Sequence, residues 1–356
     1  MQQNKENIRI IDIARLAGVS VATVDRVIHR RGKVSEESLR KIRTVLDEVN
    51  YQPNLIARSL ASKKHFNIAA IIPLFAPGQY WEAISHGIDN ATNEVKQYHV
   101  QTIKLFFDQY DNKSFDETVK KLLKEKVDGV LIATLFTNSV MKLAKKLDNE
   151  KIPYVFVDSN IEGENQLAYF GTDSYYGGKI AAKLLTEKID LTSDILIAKI
   201  IHSGENDSHQ GINRMNGFYD YLKKSEFRGN IHQVELRLDD EDYNFSVLDD
   251  IFSRNLRTEG AVMFNSTCYI VGSYLKKRKL SHIKLVGYDL IEKNTKLLSE
   301  GFVTNLIAQR PESQGYGGIK SISNYLISGQ EPEKINLMPI DILIKENIQY
   351  YLNYNL

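Results

Sequence analysis

The sequence predicts an all-α helix-turn-helix head followed by an α/β body of two lobes, each built on a doubly wound parallel sheet. Three observations predict this fold. Residues 11–28 form two short amphipathic segments on either side of a Gly-Val-Ser turn at 18–20. From residue 68 onward, apolar runs typical of strands alternate with helical stretches, which is the pattern of parallel sheets covered by helices. The body of about 290 residues is large for one domain, and its size favours two lobes.

The head begins with two short helices. Their apolar positions recur every three or four residues: Ile11, Ala14 and Ala17, then Val21, Val24 and Ile28. The small Ala14 and Gly18 let two helices cross closely, and the Ser20 hydroxyl can cap the second helix. This pattern predicts a helix-turn-helix whose second helix enters the major groove of DNA, and an ordinary αα corner is the alternative.

Charge favours the DNA interpretation. Residues 1–64 hold 13 Lys and Arg against 7 Asp and Glu, whereas the remaining residues hold 33 and 38. A local positive excess attracts phosphate, although a basic stretch can also be a solvated face. Because this excess coincides with the helix-turn-helix pattern, we interpret the head as a reader of double-stranded DNA.

A third helix follows. Ser35 is its predicted cap, and Glu36 and Glu37 occupy the first turn, where the helix dipole favours acids. Its buried stripe is predicted to comprise Leu39, Ile42, Val45, Leu46 and Val49. Pro53 ends the unit, so the head spans residues 1–53. Residues 54–65 form a linker whose short helical segment is not stable alone in water, and we expect this hinge to become ordered on binding.

The body spans residues 66–356. Its predicted strands are 68–74, 100–107, 130–133, 154–157, 195–201, 261–264, 283–286 and 303–308. Between the first two strands, a helical stripe of apolar residues begins at Trp81. Ligands of such folds bind beyond the carboxyl ends of the strands, usually in a cleft.

Composition restricts the compartment. Cys268 is the only cysteine, so the chain can form no intramolecular disulfide, and a reducing compartment fits. The first residues are polar and contain no apolar signal region. The longest apolar run, 68–75, is interrupted by Pro73 and is too short to span a bilayer. We therefore expect a soluble cytoplasmic protein that has no membrane contact.

The sequence resembles the lactose/galactose repressor family over nearly its full length. In the head, the resemblance is carried by D-I-A-R-L-A-G-V-S-V-A-T-V at 12–24, K-V-S-E-E at 33–37, N-Y-Q-P-N at 50–54 and A-R-S-L-A at 57–61. In the body it is carried by Tyr80-Trp81, I-P-Y-V-F-V-D at 152–158, G-T-D-S-Y-Y-G-G-K at 171–179, R-M-N-G-F at 214–218, V-G-Y-D at 286–289 and I-A-Q-R-P at 307–311.

The resemblance implies a fold and a division of the body. The body is similar to the ribose-binding type of periplasmic-binding-protein domain. The resemblance implies an N lobe of about 66–170 and 310–335, and a C lobe of about 171–309 and 336–356. No cofactor and no metal are implied.

The resemblance also implies a homodimeric repressor on a pseudo-palindromic operator. By position, Val21, Ala22 and Arg26 are the base-reading candidates, which fits arginine reading guanine and apolar groups touching the thymine methyl. Contacts to the DNA backbone and the minor groove are implied for Ser20, Thr23, Asn54, Arg58 and Leu60. Leu60 matches the family's wedge leucine, and a buried hinge leucine is the alternative.

Asp25 departs from the family pattern, which usually has Ser inside the recognition helix. A carboxylate there repels phosphate, but it can accept a hydrogen bond from cytosine or pair with Arg26 or Arg30. The bases that the helix reads stay open for this reason.

The resemblance places a ligand shell between the lobes. Aromatic rings stack on the C–H faces of a sugar and polar groups bind its hydroxyl edge, so we expect a small carbohydrate-like effector. The implied residues are Tyr80, Trp81, Asp158, Thr172, Arg214, Asn265, Ser266, Asp289 and Gln309. Structural alternatives stay open: core packing for Trp81, helix capping for Asp158 and Asp289, and a lobe-to-lobe ion pair for Arg214.

Two details bear on the ligand. The family often shows Asn-Asp where this chain has Asn265-Ser266, so one carboxylate is missing from that wall. Arg310 adds a positive charge beside Gln309, which makes a sugar acid or a phosphosugar a candidate, unless Arg310 faces solvent.

Other function classes fit less well. A solute-binding module for sugar transport would explain the body but not the head. Enzyme motifs such as G-x-S-x-G, H-E-x-x-H and a phosphate loop are missing, and the Y-G-G repeats at 176–178 and 316–318 are interpreted as close helix packing. His202, Glu205, Asp207 and His209 have no common metal spacing and are interpreted as a polar loop, and the acidic run 239–242 as solvated surface.

Overall fold

In the computed structural model, the described residues of the head form three helices: α1 (Ile10–Ala17), α2 (Val21–Ile28) and α3 (Glu36–Glu48). The structure describes residues 9–28, 32–49, 51, 64–200, 209–254 and 257–353. Gly18 ends α1 in the left-handed region, at φ 64°, where glycine has no steric penalty. The Ser20 hydroxyl accepts a hydrogen bond from the Thr23 N–H at 3.1 Å, and the Ser35 hydroxyl accepts one from Ser38 at 3.3 Å. Both predicted caps are therefore confirmed.

The three helices enclose a small apolar core. Its buried members are Ile13, Ala14, Ala17, Val24, Ile42 and Val45. The predicted stripe of α1 was wrong at one position, because Ile11 is 61% exposed and Ile13 is fully buried. At about 100° per residue, Ile13 and Ala17 share the inner face of the helix, whereas Ile11 points away from it. Val21 is 46% exposed and is likewise outside the core, which leaves it free for an external contact.

The body contains two six-stranded sheets. The strands of the first sheet, which defines the N lobe, are β1 (Phe66–Pro73), β2 (Val100–Phe107), β3 (Gly129–Ala133), β4 (Tyr154–Asp158), β5 (Ala168–Gly171) and β11 (Ile335–Leu337). Those of the second, which defines the C lobe, are β6 (Asp194–Ile200), β7 (Ile231–Leu236), β8 (Thr258–Met263), β9 (Lys284–Tyr288), β10 (Asn305–Ala308) and β12 (Asp341–Leu343). The strand orders are β11-β5-β4-β3-β1-β2 and β12-β10-β9-β8-β6-β7. Only β12 runs antiparallel to its neighbour, so the predicted two parallel sheets are confirmed.

Helices cover both faces of each sheet. In chain order they are α4 (Tyr80–Val95), α5 (Asn112–Leu122), α6 (Thr137–Glu150), α7 (Ser174–Thr186), α8 (His209–Lys224), α9 (Glu241–Arg254), α10 (Tyr269–Arg278), α11 (Glu292–Glu300), α12 (Pro311–Ser328) and α13 (Ile348–Leu352). The chain crosses between the lobes after β5, after β10 and after β11. Because β11 pairs with β5, residues 335–337 belong to the N lobe, and the boundary expected at 335 falls inside this strand.

The two lobes repeat one architecture. Without the edge strands β11 and β12, the sheet orders correspond strand by strand, with β1 to β5 matching β6 to β10. Each lobe has one pair of closely crossed helices: α4 with α12 in the N lobe and α7 with α8 in the C lobe. A Cβ added to Gly315 would lie 2.2 Å from the Ile84 carbonyl oxygen, and one added to Gly178 would lie 1.8 Å from the Arg214 carbonyl oxygen. The predicted close helix packing is therefore confirmed for the Y-G-G segment at 176–178. In the segment at 316–318, Gly317 and Gly318 instead pack against side chains of the N-lobe sheet, Phe170 and Leu131, and the preceding Gly315 makes the close helix contact.

Candidate functional site

The outer face of α2 carries the residues expected to read bases. Val21, Ala22 and Arg26 are exposed, and Val24 is fully buried against the head core. Ala22 and Arg26 are four residues apart and therefore share one face of the helix. Ser20 and Thr23 are joined through their hydroxyl groups at 2.8 Å, at the amino end of α2. This arrangement has the geometry of a recognition helix, while the roles of the individual residues stay predictions.

Several residues predicted to act in the head and the linker lie outside the part of the chain that the structure describes. Asn54, Arg58 and Leu60 lie outside the described residues, as does Arg30. Asp25 is half-buried on α2 and makes an interaction within the structure. Its effect on base reading stays a prediction.

A cleft of about 1040 Å³ lies between the lobes, at the carboxyl ends of their parallel strands. Eight of the nine predicted effector residues line it: Tyr80, Trp81, Asp158, Arg214, Asn265, Ser266, Asp289 and Gln309. Thr172 does not line the cleft. Its hydroxyl donates to Gln309 Oε1 at 3.0 Å, so it lies behind Gln309 and holds that side chain in place.

Two aspartates face each other from corresponding strands. Asp158 ends β4 at φ 76°, and Asp289 follows β9 at φ 68°. Left-handed backbone is uncommon for aspartate, and such strain concentrates at functional positions. Because β4 and β9 correspond in the two lobes, the cleft has one carboxylate on each side.

Asp158 is held by a network of hydrogen bonds. Its Oδ1 accepts from the Tyr80 hydroxyl at 3.0 Å and from Gln210 Nε2 at 3.1 Å. Its N–H donates to Gln314 Oε1 at 3.1 Å, and Gln314 Nε2 donates to the Gln309 carbonyl oxygen at 2.9 Å. Since Gln210 belongs to the C lobe, its bond to Asp158 joins the two lobes across the cleft.

Arg214 is 2% exposed and is fixed on the C-lobe side. Its Nη1 donates to the Phe264 carbonyl oxygen at 2.6 Å, its Nη2 donates to Gln309 Oε1, and its guanidinium lies 4.1 Å from the Tyr288 ring centroid. Its Nε is buried and has no partner in the described part of the chain. The charge of Arg214 acts on both aspartates but forms no direct ion pair with either of them in the described structure. The alternative of a simple lobe-to-lobe ion pair is therefore wrong.

Burial controls the acidity of the cleft. It raises the pKa of Asp289 to about 6, against the opposing effects of Arg214 and of the hydrogen bond from Gln309 Nε2 at 2.7 Å. Burial also raises the pKa of Asp158, and the Asp158 charge in turn adds to the rise at Asp289. The two ionised carboxylates disfavour each other, so a further anion between them would be disfavoured as well.

The two aromatic residues do not form parallel plates. The Tyr80 and Trp81 rings meet edge to face at 85°, with centroids 5.2 Å apart. Both side chains are mostly buried, and the Tyr80 hydroxyl is engaged by Asp158. Trp81 therefore both packs in the core and borders the cleft.

Asn265 and Arg310, both considered for the cleft wall, are each bonded to another side chain of the protein. Asn265 Oδ1 accepts hydrogen bonds from the Thr267 N–H at 3.1 Å and from its hydroxyl at 2.6 Å, which orients the side chain. Arg310 does not line the cleft, because its Nε and Nη2 bind the two oxygens of Asp341 at 2.8 and 3.2 Å. The argument from Arg310 for a sugar acid or a phosphosugar is therefore wrong.

Sequence reasoning missed Gln210 and Gln314, although both are buried and both bind Asp158. Their position in the sequence could have identified them, because each glutamine lies in the first turns of a helix that begins at the cleft. Glutamine is too common on helices for that position to stand out in one sequence.

Within the described ranges, no group of three or more His, Cys, Asp or Glu could hold a metal ion. Of the loop considered for metal binding, His202, Glu205 and Asp207 lie outside those ranges. Among the described helices, none combines the length and the apolar character that a membrane span requires.

Known proteins match both parts of the chain. Residues 68–331 match the periplasmic binding protein domain family, and residues 9–54 match the lacI family of bacterial regulatory proteins. Catabolite control protein A of Streptococcus mutans is 30% identical over 222 residues, which cover 62% of each chain. The match thus spans about three fifths of the length of the curated relatives.

Solved structures share the fold of the body. A crystal structure from Bacteroides fragilis, assigned as a LacI transcriptional regulator, has a TM-score of 0.77 and 36% identity, over 81% of this chain and 100% of that one. The glucose-galactose binding protein GanP of Geobacillus stearothermophilus has a TM-score of 0.70 and 19% identity, over 80% and 99%. At 19% identity the likeness concerns the fold alone.

Proposed function

Because the chain belongs to the periplasmic binding protein domain family and, through its head, to the lacI family of bacterial regulatory proteins, we propose that it is a DNA-binding transcriptional regulator that acts as a repressor. It acts in the cytoplasm as a homodimer on a pseudo-palindromic operator. A small neutral carbohydrate in the cleft controls its affinity for DNA, and the chain performs binding rather than catalysis.

The observation that carries the proposal is the combination of two surfaces in one chain. The exposed face of α2 presents Arg26 beside Val21 and Ala22, which suits a guanine and neighbouring thymine methyl groups. The cleft carries hydrogen-bond acceptors and donors that can bind a ligand, including Arg214 Nε, which has no partner in the described part of the chain. A solute-binding module alone would have no use for the first surface.

The charges of the cleft support a neutral polyhydroxy ligand. Sugar hydroxyls can donate to Asp158 and Asp289 and can accept from Arg214 Nε. A carboxylate or phosphate would stand between two buried aspartates whose pKa values are already raised.

Coupling between the cleft and the head follows from the two lobes. The ligand contacts residues of both lobes, so it favours one lobe arrangement, and the spacing of the two heads in a dimer then changes. Such coupling is typically about 1–3 kcal/mol, or roughly 5- to 150-fold in operator affinity.

A gel-shift titration of the full chain with its own upstream DNA tests the proposal. We expect binding that weakens steeply as salt rises, because phosphate contacts release counterions. Asp289→Asn should retain DNA binding and lose the response to the sugar that a thermal-shift screen identifies. Asp194→Asn, a buried aspartate outside the cleft, is the matched control and should keep the response. Absence of salt-sensitive binding to any duplex would refute the regulator.

A further inference from the structure

The cleft is longer than the polar site around Asp289. On the C-lobe side, residues at the carboxyl ends of five neighbouring parallel strands line it in order, from Gln309 after β10 to Leu238 after β7. Neighbouring strands lie about 4.8 Å apart, so this row of strand ends is about 19 Å long. Arg214, Asp289 and Gln309 occupy only the part of the cleft next to the crossovers between the lobes.

The volume of the cleft leads to the same conclusion. A hexopyranose has about a dozen non-hydrogen atoms, and pockets of roughly 300 Å³ already hold small ligands. The cleft has about 1040 Å³, and the cross-lobe bond between Gln210 and Asp158 shows that its inner part is already bridged. The lining continues to Tyr110 after β2 and to Leu238 after β7, the edge strands on the side of the two sheets away from β5 and β10.

Aromatic side chains border that outer part from both lobes. Tyr110 follows β2 of the N lobe, and Tyr269 opens α10 of the C lobe. Burial is the main cause that raises the pKa of Tyr110 to about 12, and Tyr269, Asp108 and Asp239 act on it electrostatically in the same direction. The Lys293 ammonium lies 4.5 Å from the Tyr269 ring centroid and covers part of that ring.

Polar groups line the cleft together with these rings. They are Gln109, which precedes Tyr110 in the chain, Asn138 and Asp239. Aromatic faces with polar groups at their edges match a pyranose, whose faces are C–H and whose rim is hydroxyl. Acidic Asp108, Asp239 and Glu292 outnumber Lys199 and Lys293 along the wall, so the charge favours a neutral sugar over an anionic one.

We propose that the outer cleft is a second sugar subsite, with Tyr110 and Tyr269 on its walls, and that the ligand is a neutral oligosaccharide of at least two pyranose rings. One ring binds among Asp158, Arg214 and Asp289, and the next binds between the two tyrosines. This inference takes only the class of ligand, a neutral carbohydrate, from the proposed function, and it does not depend on DNA binding.

Calorimetry on the full chain tests the second subsite. The probes are D-glucose, D-galactose and D-mannose, compared with cellobiose, maltose, lactose and mannobiose. We expect at least one disaccharide to bind about tenfold more tightly than its component monosaccharides, because the second ring adds contacts. If no disaccharide exceeds its monosaccharides, the second subsite is refuted.

Variants locate the effect. Tyr110→Ala and Tyr269→Ala should each weaken disaccharide binding about five- to tenfold and leave monosaccharide binding within about twofold, which also shows that the variants fold. Tyr110→Phe should retain the disaccharide affinity, and Tyr350→Ala, at a residue 80% exposed outside the cleft, is the control. Equal losses for both sugar classes would overturn the assignment of these tyrosines. If the chain binds the disaccharide but no DNA, the proposed regulatory function is refuted and the second subsite is supported.

Discussion

Asp289 should make the free protein less stable at neutral pH than its asparagine variant. The carboxylate is 6% exposed, and burial raises its pKa from 3.8 to about 6. A shift of about two units corresponds to about 3 kcal/mol between the two protonation states, at roughly 1.4 kcal/mol per unit. Asp289→Asn removes this charge, and its amide oxygen can still accept from Gln309 Nε2.

The sign of the pH dependence follows from the raised pKa. The native state holds its proton more tightly than the unfolded state does, so the favourable contribution is complete below pH 4 and is lost as the pH rises through 6. We therefore expect Asp289→Asn to exceed the wild type in free energy of unfolding by about 1–3 kcal/mol at pH 7.5, and to match it near pH 4.

Urea unfolding between pH 4 and 8 measures this difference. Trp81 is the only tryptophan and borders the cleft, so its fluorescence reports on this region. Asp194→Asn is the control with the opposite sign. Although burial acts to raise the pKa of Asp194, hydrogen bonds from His232 and Asn230 lower it overall, so this variant should lose stability at neutral pH. A gain for Asp289→Asn that persists at pH 4, or no gain at pH 7.5, contradicts the reasoning.

Three further outcomes are expected. Sugar affinity should be constant above pH 7 and fall up to about tenfold per pH unit below pH 6, because the Asp289 carboxylate must be ionised to accept a hydrogen bond from a sugar hydroxyl. Calorimetry across this pH range measures the affinity. Gly178→Ala should lower the melting temperature, because its Cβ would lie 1.8 Å from the Arg214 carbonyl oxygen, whereas Gly177→Ala, with its nearest neighbour at 3.4 Å, should be neutral or stabilising. Arg26→Ala should cost about 1–3 kcal/mol in operator binding and relax specificity at one base pair, while Arg254→Ala in the body should not; a uniform loss across sequences would mean a phosphate contact instead.

The elements with a clear apolar period were predictable from the sequence. Val100–Phe107 matches its predicted strand at both ends, and Ser35 caps α3 as expected. Four of the described strands were missed. The inner strand β5 (Ala168–Gly171) is fully buried but has only four residues, too few to show a period. In β7 (Ile231–Leu236) apolar and polar residues mix at the sheet edge, and β11 and β12 have three residues each. These three edge strands are fixed by their pairing with neighbours rather than by their own composition.

The cleft residues were predictable through the family resemblance. Asp158 and Asp289 were identified in this way, because an acid at the end of an apolar strand equally fits a helix cap. The direction of Arg310 could not be predicted, because its partner Asp341 is 31 residues away in sequence and reaches it only through the last crossover. The resemblance therefore indicated which groups gather at the cleft, but not how each one is paired.

The correspondence between the lobes explains why the cleft has two matching acids. Strands β4 and β9 hold the same place in their sheets, so the residue after each one faces the same gap from opposite sides. The helix pairs differ at the equivalent inner position, which is Ile84 in the N lobe and Arg214 in the C lobe, each opposite a glycine of the crossing helix. One lobe thus packs an apolar side chain where the other places a cation. The repeated fold supplies symmetric acceptors, and differences between the repeats such as this one make the two sides of the cleft unequal.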